Sequence, residues 1–233
     1  MRATTDTPAH ERRQYAAFGV LSLVVAGFTG ILSLSQGGAR FFDAYFGSIP
    51  PLLAIALAAL VGFVSLVFLH SRDWFEIYTS RSVRGVGFSA AIATLFGVWQ
   101  VCADLLVTRF PKDINVPPPQ SLLFYPAMCY VVEVLFHAFP LALLLAVLGR
   151  SNKKSNTIIV MWLCIVLVSS LEPVLVHMRM GSSAYVGVFV FVFTVVELYV
   201  FRRYDFMSMY AFRLVFYMWW HITWGSLRLR WLF

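Results

Sequence analysis

The 233-residue chain is 60% hydrophobic and only 12% charged, with a mean hydropathy of +0.78. Soluble domains carry about 25% charged residues, and a chain with half that charge lacks the polar surface to coat a globule in water, which excludes an ordinary soluble enzyme, a nucleic-acid binder and a disordered protein. The formal charge of +7 comes from Lys and Arg at the ends of apolar runs, where they anchor to lipid headgroups, so the expected partner is a lipid bilayer and not nucleic acid.

A helix needs about 20 apolar residues to cross the hydrocarbon layer. In chain order, seven runs qualify: 15–35, 50–70, 86–108, 121–148, 157–177, 184–201 and 206–226. The runs are continuous and do not alternate, which argues against a strand barrel. The prediction is an all-α, multi-pass transmembrane bundle of about seven spans, forming a single domain over 1–233. Met1 to Arg13 is polar, and the apolar run after it is long enough to span and lacks a small-residue cleavage site, so it is expected to stay as the first span. Between the second and third spans, Arg72 to Arg81 mixes aromatic and charged residues at near-helical spacing and predicts one short interfacial helix. Pro111, Pro117, Pro118 and Pro119 predict a stiff connector before the fourth span. Cys102, Cys129 and Cys164 each sit inside an apolar run and read as small buried residues. Alternate loops hold 11 and 6 Lys and Arg, which predicts a cell-membrane protein with a cytoplasmic N-terminus and an outer C-terminus.

Ionisable side chains in hydrocarbon are costly, so those present mark helix interfaces or water-filled cavities. They are Asp104, Glu133, His137, Glu172, His177, Arg213 and His221, with Glu197 nearer a span end. Glu133 and His137 share one helix face at i and i+4, with Pro140 interrupting the helix just beyond. A carboxylate and an imidazole so placed fit a divalent metal or a water held for general-base work; they equally fit a hydrogen bond that only ties helices together. Glu172 and His177 close the fifth span and read either as interfacial groups or as part of a site. Arg213, Tyr217 and His221 repeat every four residues and predict a polar stripe on the seventh span, unless the neighbouring tryptophans are simply an aromatic belt. If the spans alternate in direction, Glu133, His137, His177 and His221 meet in one half of the membrane and supply a zinc site.

The order of these elements resembles the CPBP (CAAX-protease and bacteriocin-processing) family of intramembrane metalloproteases, over roughly residues 120–226. That family carries EExxxR, then FxxxH, then HxxxN or HxxxD. Val132-Glu133-Val134-Leu135-Phe136-His137 falls on the first motif, keeping its second Glu with Val132 and His137 in place of the first Glu and the Arg. Pro173 to His177 falls on the second and keeps the His. Arg213 and Tyr217 fall on the third, with His221 two turns after Arg213. The resemblance implies a metal-dependent peptidase acting on a membrane-embedded or lipidated peptide. Glu133 would be the general base or a ligand, and His137, His177 and His221 would hold zinc. Because Val132 stands where the family has its catalytic base, the site has either shifted to Glu133 and His137 or lost its activity. The alternatives are therefore a non-catalytic pseudoprotease that binds another membrane protein, and a small carrier relaying through Glu133, His137 and Arg213.

Overall fold

The computed structural model describes residues 8–35, 37–79, 81–149, 154–180 and 183–233. Arg2, Arg150 and Lys153, which contribute to the loop charge, lie outside these residues. Among the described residues every regular element is helical: α1 Pro8–Leu34, α2 Arg40–Phe46, α3 Pro51–Ser71, α4 Ser82–Leu106, a 3-10 turn Lys112–Ile114, α5 Ser121–Val132, a π-helical turn Glu133–Ala138, α6 Phe139–Leu148, α7 Lys154–Ser169, α8 Leu171–Met180, α9 Ala184–Arg203, α10 Phe206–Tyr217, a second π-helical turn Met218–Trp224, and α11 Gly225–Trp231.

Among the described residues, six stretches are long and apolar enough to cross a bilayer: Glu11–Leu34, Pro51–Ser71, Ser82–Leu106, Ser121–Leu148, Ile158–Met178 and Ala184–Arg203. Their outer faces carry bare aliphatic side chains such as Leu23, Leu34, Val83 and Leu106, each at least 75% exposed, which suits contact with lipid tails. The seventh expected span is an unbroken helical rod from Phe206 to Trp231, about 39 Å long at the α-helical rise. It is long enough, but Arg213, Arg228, Arg230 and four tryptophans lower its hydropathy, and it is not among the six. Arg213 and Arg228 are buried against other helices.

Residues 72–79 of the expected interfacial helix are not helical. The short helix between spans is α2, which lies between α1 and α3. Hydrogen bonds from elsewhere hold the segment after Arg72 out of a helix. Ile77 donates its backbone N–H to Gln14 Oε1 at 2.8 Å, and Gln14 Nε2 donates to Glu76 Oε2 at 2.8 Å. The carbonyls of Glu76 and Ile77 accept the first N–H groups of α10, from Phe206 and Met207, so the loop satisfies donors that a helix start leaves open. Phe75 packs on Phe201 with ring centroids 4.4 Å apart.

Asp205 caps α10, accepting from Ser208 N and Oγ, both at 2.8 Å, and from Thr79 N and Oγ1 and Ser82 Oγ. It is fully buried. Asp205→Ala strips one acceptor from five donors and should cost about 2–3 kcal/mol, read as a lower melting temperature of the detergent-purified protein; an unchanged melt would refute the capping role.

α4 lies directly along α10. Its inner face is built from Ser82, Gly85, Ser89, Ala93, Gly97 and Ala103, small residues that let two backbones approach closely. A Cβ on Gly85 would collide with Ser208 Oγ, and one on Gly97 would sit 2.6 Å from the Trp219 Cβ. The core divides into two apolar clusters. One gathers Phe18, Leu66, Phe124, Tyr130, Phe201 and Phe206; the other gathers Phe96, Phe193, Phe212, Phe216, Trp220 and Trp224. Between them runs a layer of charge. Cys129 and Cys164 are buried, Cys102 is exposed on the flank of α4, and all three are free thiols.

Candidate functional site

Pro140 has no N–H and its ring crowds the carbonyl of the preceding turn, so the fourth span widens there into the π-helical turn Glu133–Ala138. This turn presents Glu133 and His137, both fully buried, toward α8, α9 and α10. His137 Nδ1 lies 2.9 Å from Glu133 Oε2.

The guanidinium of Arg213, 1% exposed, occupies the centre of the layer. Its Nε donates to Glu133 Oε1 at 2.8 Å and to Glu197 Oε1 at 3.1 Å. Nη2 donates to Glu197 Oε2 at 2.5 Å and to Glu172 Oε2 at 2.8 Å. Nη1 donates to Glu172 Oε1 at 3.0 Å and to Tyr217 Oη at 3.4 Å. Four helical segments thus converge on one cation through side chains that would each be costly alone in hydrocarbon.

The charges do not cancel. Glu133, Glu172 and Glu197 face one guanidinium, an excess of two negative charges while the carboxylates are ionised and His137 is neutral. His137 Nε2 is buried without a hydrogen-bond partner and lies 3.5 Å from Glu172 Oε2. In the neutral tautomer with its proton on Nδ1, that Nε2 carries a lone pair, and two acceptors then face one another with no donor between them. A buried acceptor excess of this kind calls for a cation or protons. Glu133, His137 and Glu197 each offer a ligand atom, all within 4.8 Å of one another, a donor set that could hold a metal ion.

A cavity of about 530 Å³ opens beside this layer, floored by Glu172, Arg213 and Tyr217. Its walls are aromatic and aliphatic, with Phe110, Phe189, Phe193, Phe216 and Trp220 prominent, and the exposure of its lining residues Arg109, Pro111 and Ser183 marks that side as the mouth. Glu172 is 18% exposed, whereas Glu133 and Glu197 are sealed behind it.

The four residues singled out from the sequence separate into three places. Glu133 and His137 form the deep part of the charged layer. His221 lies on the cavity wall, its Nδ1 2.6 Å from Asn115 Oδ1 and its ring stacked on Tyr125 at 4.5 Å, so it meets the cavity but not the Glu133 group. His177 is exposed on the last turn of α8, outside both the charged layer and the cavity wall. Glu172 and Glu197 take the remaining positions in the layer. The signal that could have found them is Arg213 itself, since a cation in mid-span requires carboxylates from other helices. Asp104, also buried, belongs to a separate pair with Arg228 at the mouth end of the bundle.

The chain matches no model of a known protein family, no characterised protein and no solved structure.

Proposed function

We propose that this membrane protein is an intramembrane metal-dependent hydrolase similar to the CPBP family, acting on a membrane-embedded or lipidated peptide that enters the cavity. The observation that carries the reading is the buried Glu133–His137–Glu197 group behind that cavity. Two carboxylates and an imidazole suit zinc. A zinc ion bound there would supply Lewis acidity and a water acidic enough to ionise near neutral pH. Arg213 orients all three carboxylates, Glu133 would serve either as a ligand or as the proton acceptor, and Tyr217 Oη, held by Arg213, offers a donor on the cavity side. The aromatic walls keep bulk water away from the charged floor.

One observation favours a second reading. Every N–H of Arg213 points at an oxygen of the layer, so a built-in cation already serves the carboxylates where the CPBP motif has a histidine. On that reading the fold persists as a non-catalytic factor that binds another membrane protein.

Metal content decides between them. Elemental analysis of protein purified without chelators should find about one zinc per chain, lost in His137→Ala and Glu197→Ala and retained in His177→Ala, whose side chain lies outside the group. Wild-type protein that stays empty after incubation with zinc overturns the hydrolase and leaves the binding factor.

The orientation belongs to the same proposal. With the N-terminus cytoplasmic, as the loop charges favour, the 72–79 loop faces the cytoplasm and the cavity mouth at Thr108–Pro111 and Ser183 faces outward. In a Cys102→Ser background, a cysteine at Ser183 should react with an impermeant maleimide in intact cells, and one at Arg72 only after permeabilisation. The reverse pattern would invert the assignment.

A further inference from the structure

The cavity holds a combination that the hydrolase reading does not use. Its floor presents the Glu172 carboxylate, partly exposed and backed by the surplus acceptors of Glu133, Glu197 and the unpartnered Nε2 of His137. Its walls are aromatic rings, and some of these already carry cations. Arg213 lies over Phe193 at 5.3 Å and over Tyr217 at 5.8 Å, and Arg228 lies over Trp220 at 6.0 Å. Phe216 packs against Phe193 at 4.6 Å, extending the same wall. The Arg213 guanidinium on the same floor has its N–H groups committed to Glu133, Glu172, Glu197 and Tyr217, so an anion would find no free donor there and would meet the Glu172 oxygens across a low-dielectric gap. A neutral ligand would leave the acceptor excess uncompensated. An ammonium group meets both demands, because ring faces attract cations and a carboxylate pairs with them. Arg109 at the mouth is exposed, where water and salt screen its charge.

We infer that the cavity is a binding site for an organic ammonium group, seated on the aromatic wall with its charge against Glu172. The site does not depend on a metal at Glu133, His137 and Glu197. Two sources share this chemistry, an amine-bearing lipid headgroup and a soluble amine.

The test uses the whole chain in maltoside detergent, stripped of metal with a chelator, and titrates it with choline and with 3,3-dimethylbutan-1-ol, the neutral group of the same shape. Choline should bind at least about tenfold more tightly than the alcohol, a margin within reach of a desolvated cation–π and carboxylate site. Glu172→Gln should remove most of that margin, and Phe216→Leu, which leaves every ion pair in place, should weaken choline severalfold while sparing the alcohol. If Glu172→Gln does not fold, the Phe216→Leu comparison stands alone. Equal affinity for choline and the alcohol, or a margin unmoved in either folded variant, overturns the proposal. When the margin is present, displacement of choline by added phosphatidylcholine but not phosphatidylglycerol assigns the site to a lipid headgroup, and no displacement by either assigns it to a soluble amine. Because the protein is metal-free throughout, failure to bind zinc leaves this result untouched.

Discussion

Arg213→Met is expected to be the most damaging single substitution in the chain. It leaves Glu133, Glu172 and Glu197 facing one another with no fixed cation, two of them fully buried. Breaking a buried ion pair by removing one partner costs about 3–5 kcal/mol, and here one residue serves three partners. The expected result is protein that fails to accumulate, or that melts far below wild type after purification. Arg213→Lys should recover only part of the loss, since an ammonium offers three donors where the guanidinium uses all five. Adding Glu172→Gln and Glu197→Gln to Arg213→Met should restore stability, because removing both charges relieves the repulsion. Thermal unfolding in detergent reads all three. An Arg213→Met protein that melts with the wild type would mean that the carboxylates are neutral or otherwise compensated.

The second large effect is expected at the other buried guanidinium. Arg228 donates to Asp104 through Nε at 2.9 Å and Nη2 at 3.1 Å, and to the carbonyls of Phe110 and Pro111 at 2.7 and 2.8 Å. Asp104 in turn accepts from Trp224 Nε1 and from the Phe110 N–H. Arg228→Met should cost about 3–5 kcal/mol by stranding that carboxylate. It should also loosen the strap at Phe110 and Pro111, whose side chains line the cavity mouth. The double variant Asp104→Leu with Arg228→Met removes both charges and should be markedly more stable than Arg228→Met alone. The strap should stay loose in it, because the carbonyls of Phe110 and Pro111 still lack their donor. Melting temperature reads the first effect and hydrogen exchange of 107–110 reads the second; protection of that segment equal to wild type would refute the strap.

Most of the bundle was legible because hydrocarbon leaves little choice. A run such as 184–201, with no charge before Glu197, can only be a helix if it crosses a bilayer. The 72–81 stretch misled for a specific reason. Its near-helical mix of Trp74, Phe75 and Tyr78 satisfies the interfacial pattern locally, but Gln14 and the start of α10 capture its backbone, and no local pattern reports partners more than sixty residues away. The site was half legible. Glu133 and His137 stood out by their spacing within one helix. Glu172 and Glu197 did not, because facing one another across helices leaves no periodic trace, and their place near span ends gave them a plain interfacial explanation. His221 comes after Arg213 at a spacing of twice four, which an α-helix turns into one stripe. The π-helical turn from Met218 breaks that register, so His221 reaches the cavity wall and Asn115 instead of the deep carboxylates.

The two π-helical turns make the charged layer a matter of chain length as well as of composition. Each amounts to one extra residue let into an α-helix, and each such residue rotates the downstream part of the span by about 100°. Deleting a residue within Glu133–Ala138 or Met218–Trp224 would return the span to regular winding and swing one flank by that angle, while its length and apolar character hardly change. A chain so shortened would keep the same apolar spans and look unchanged in its hydropathy. Its carboxylates would address different neighbours. In this architecture, gain or loss of the buried centre is a single-codon insertion or deletion away from an inert bundle, a step that comparison by residue substitution alone does not register.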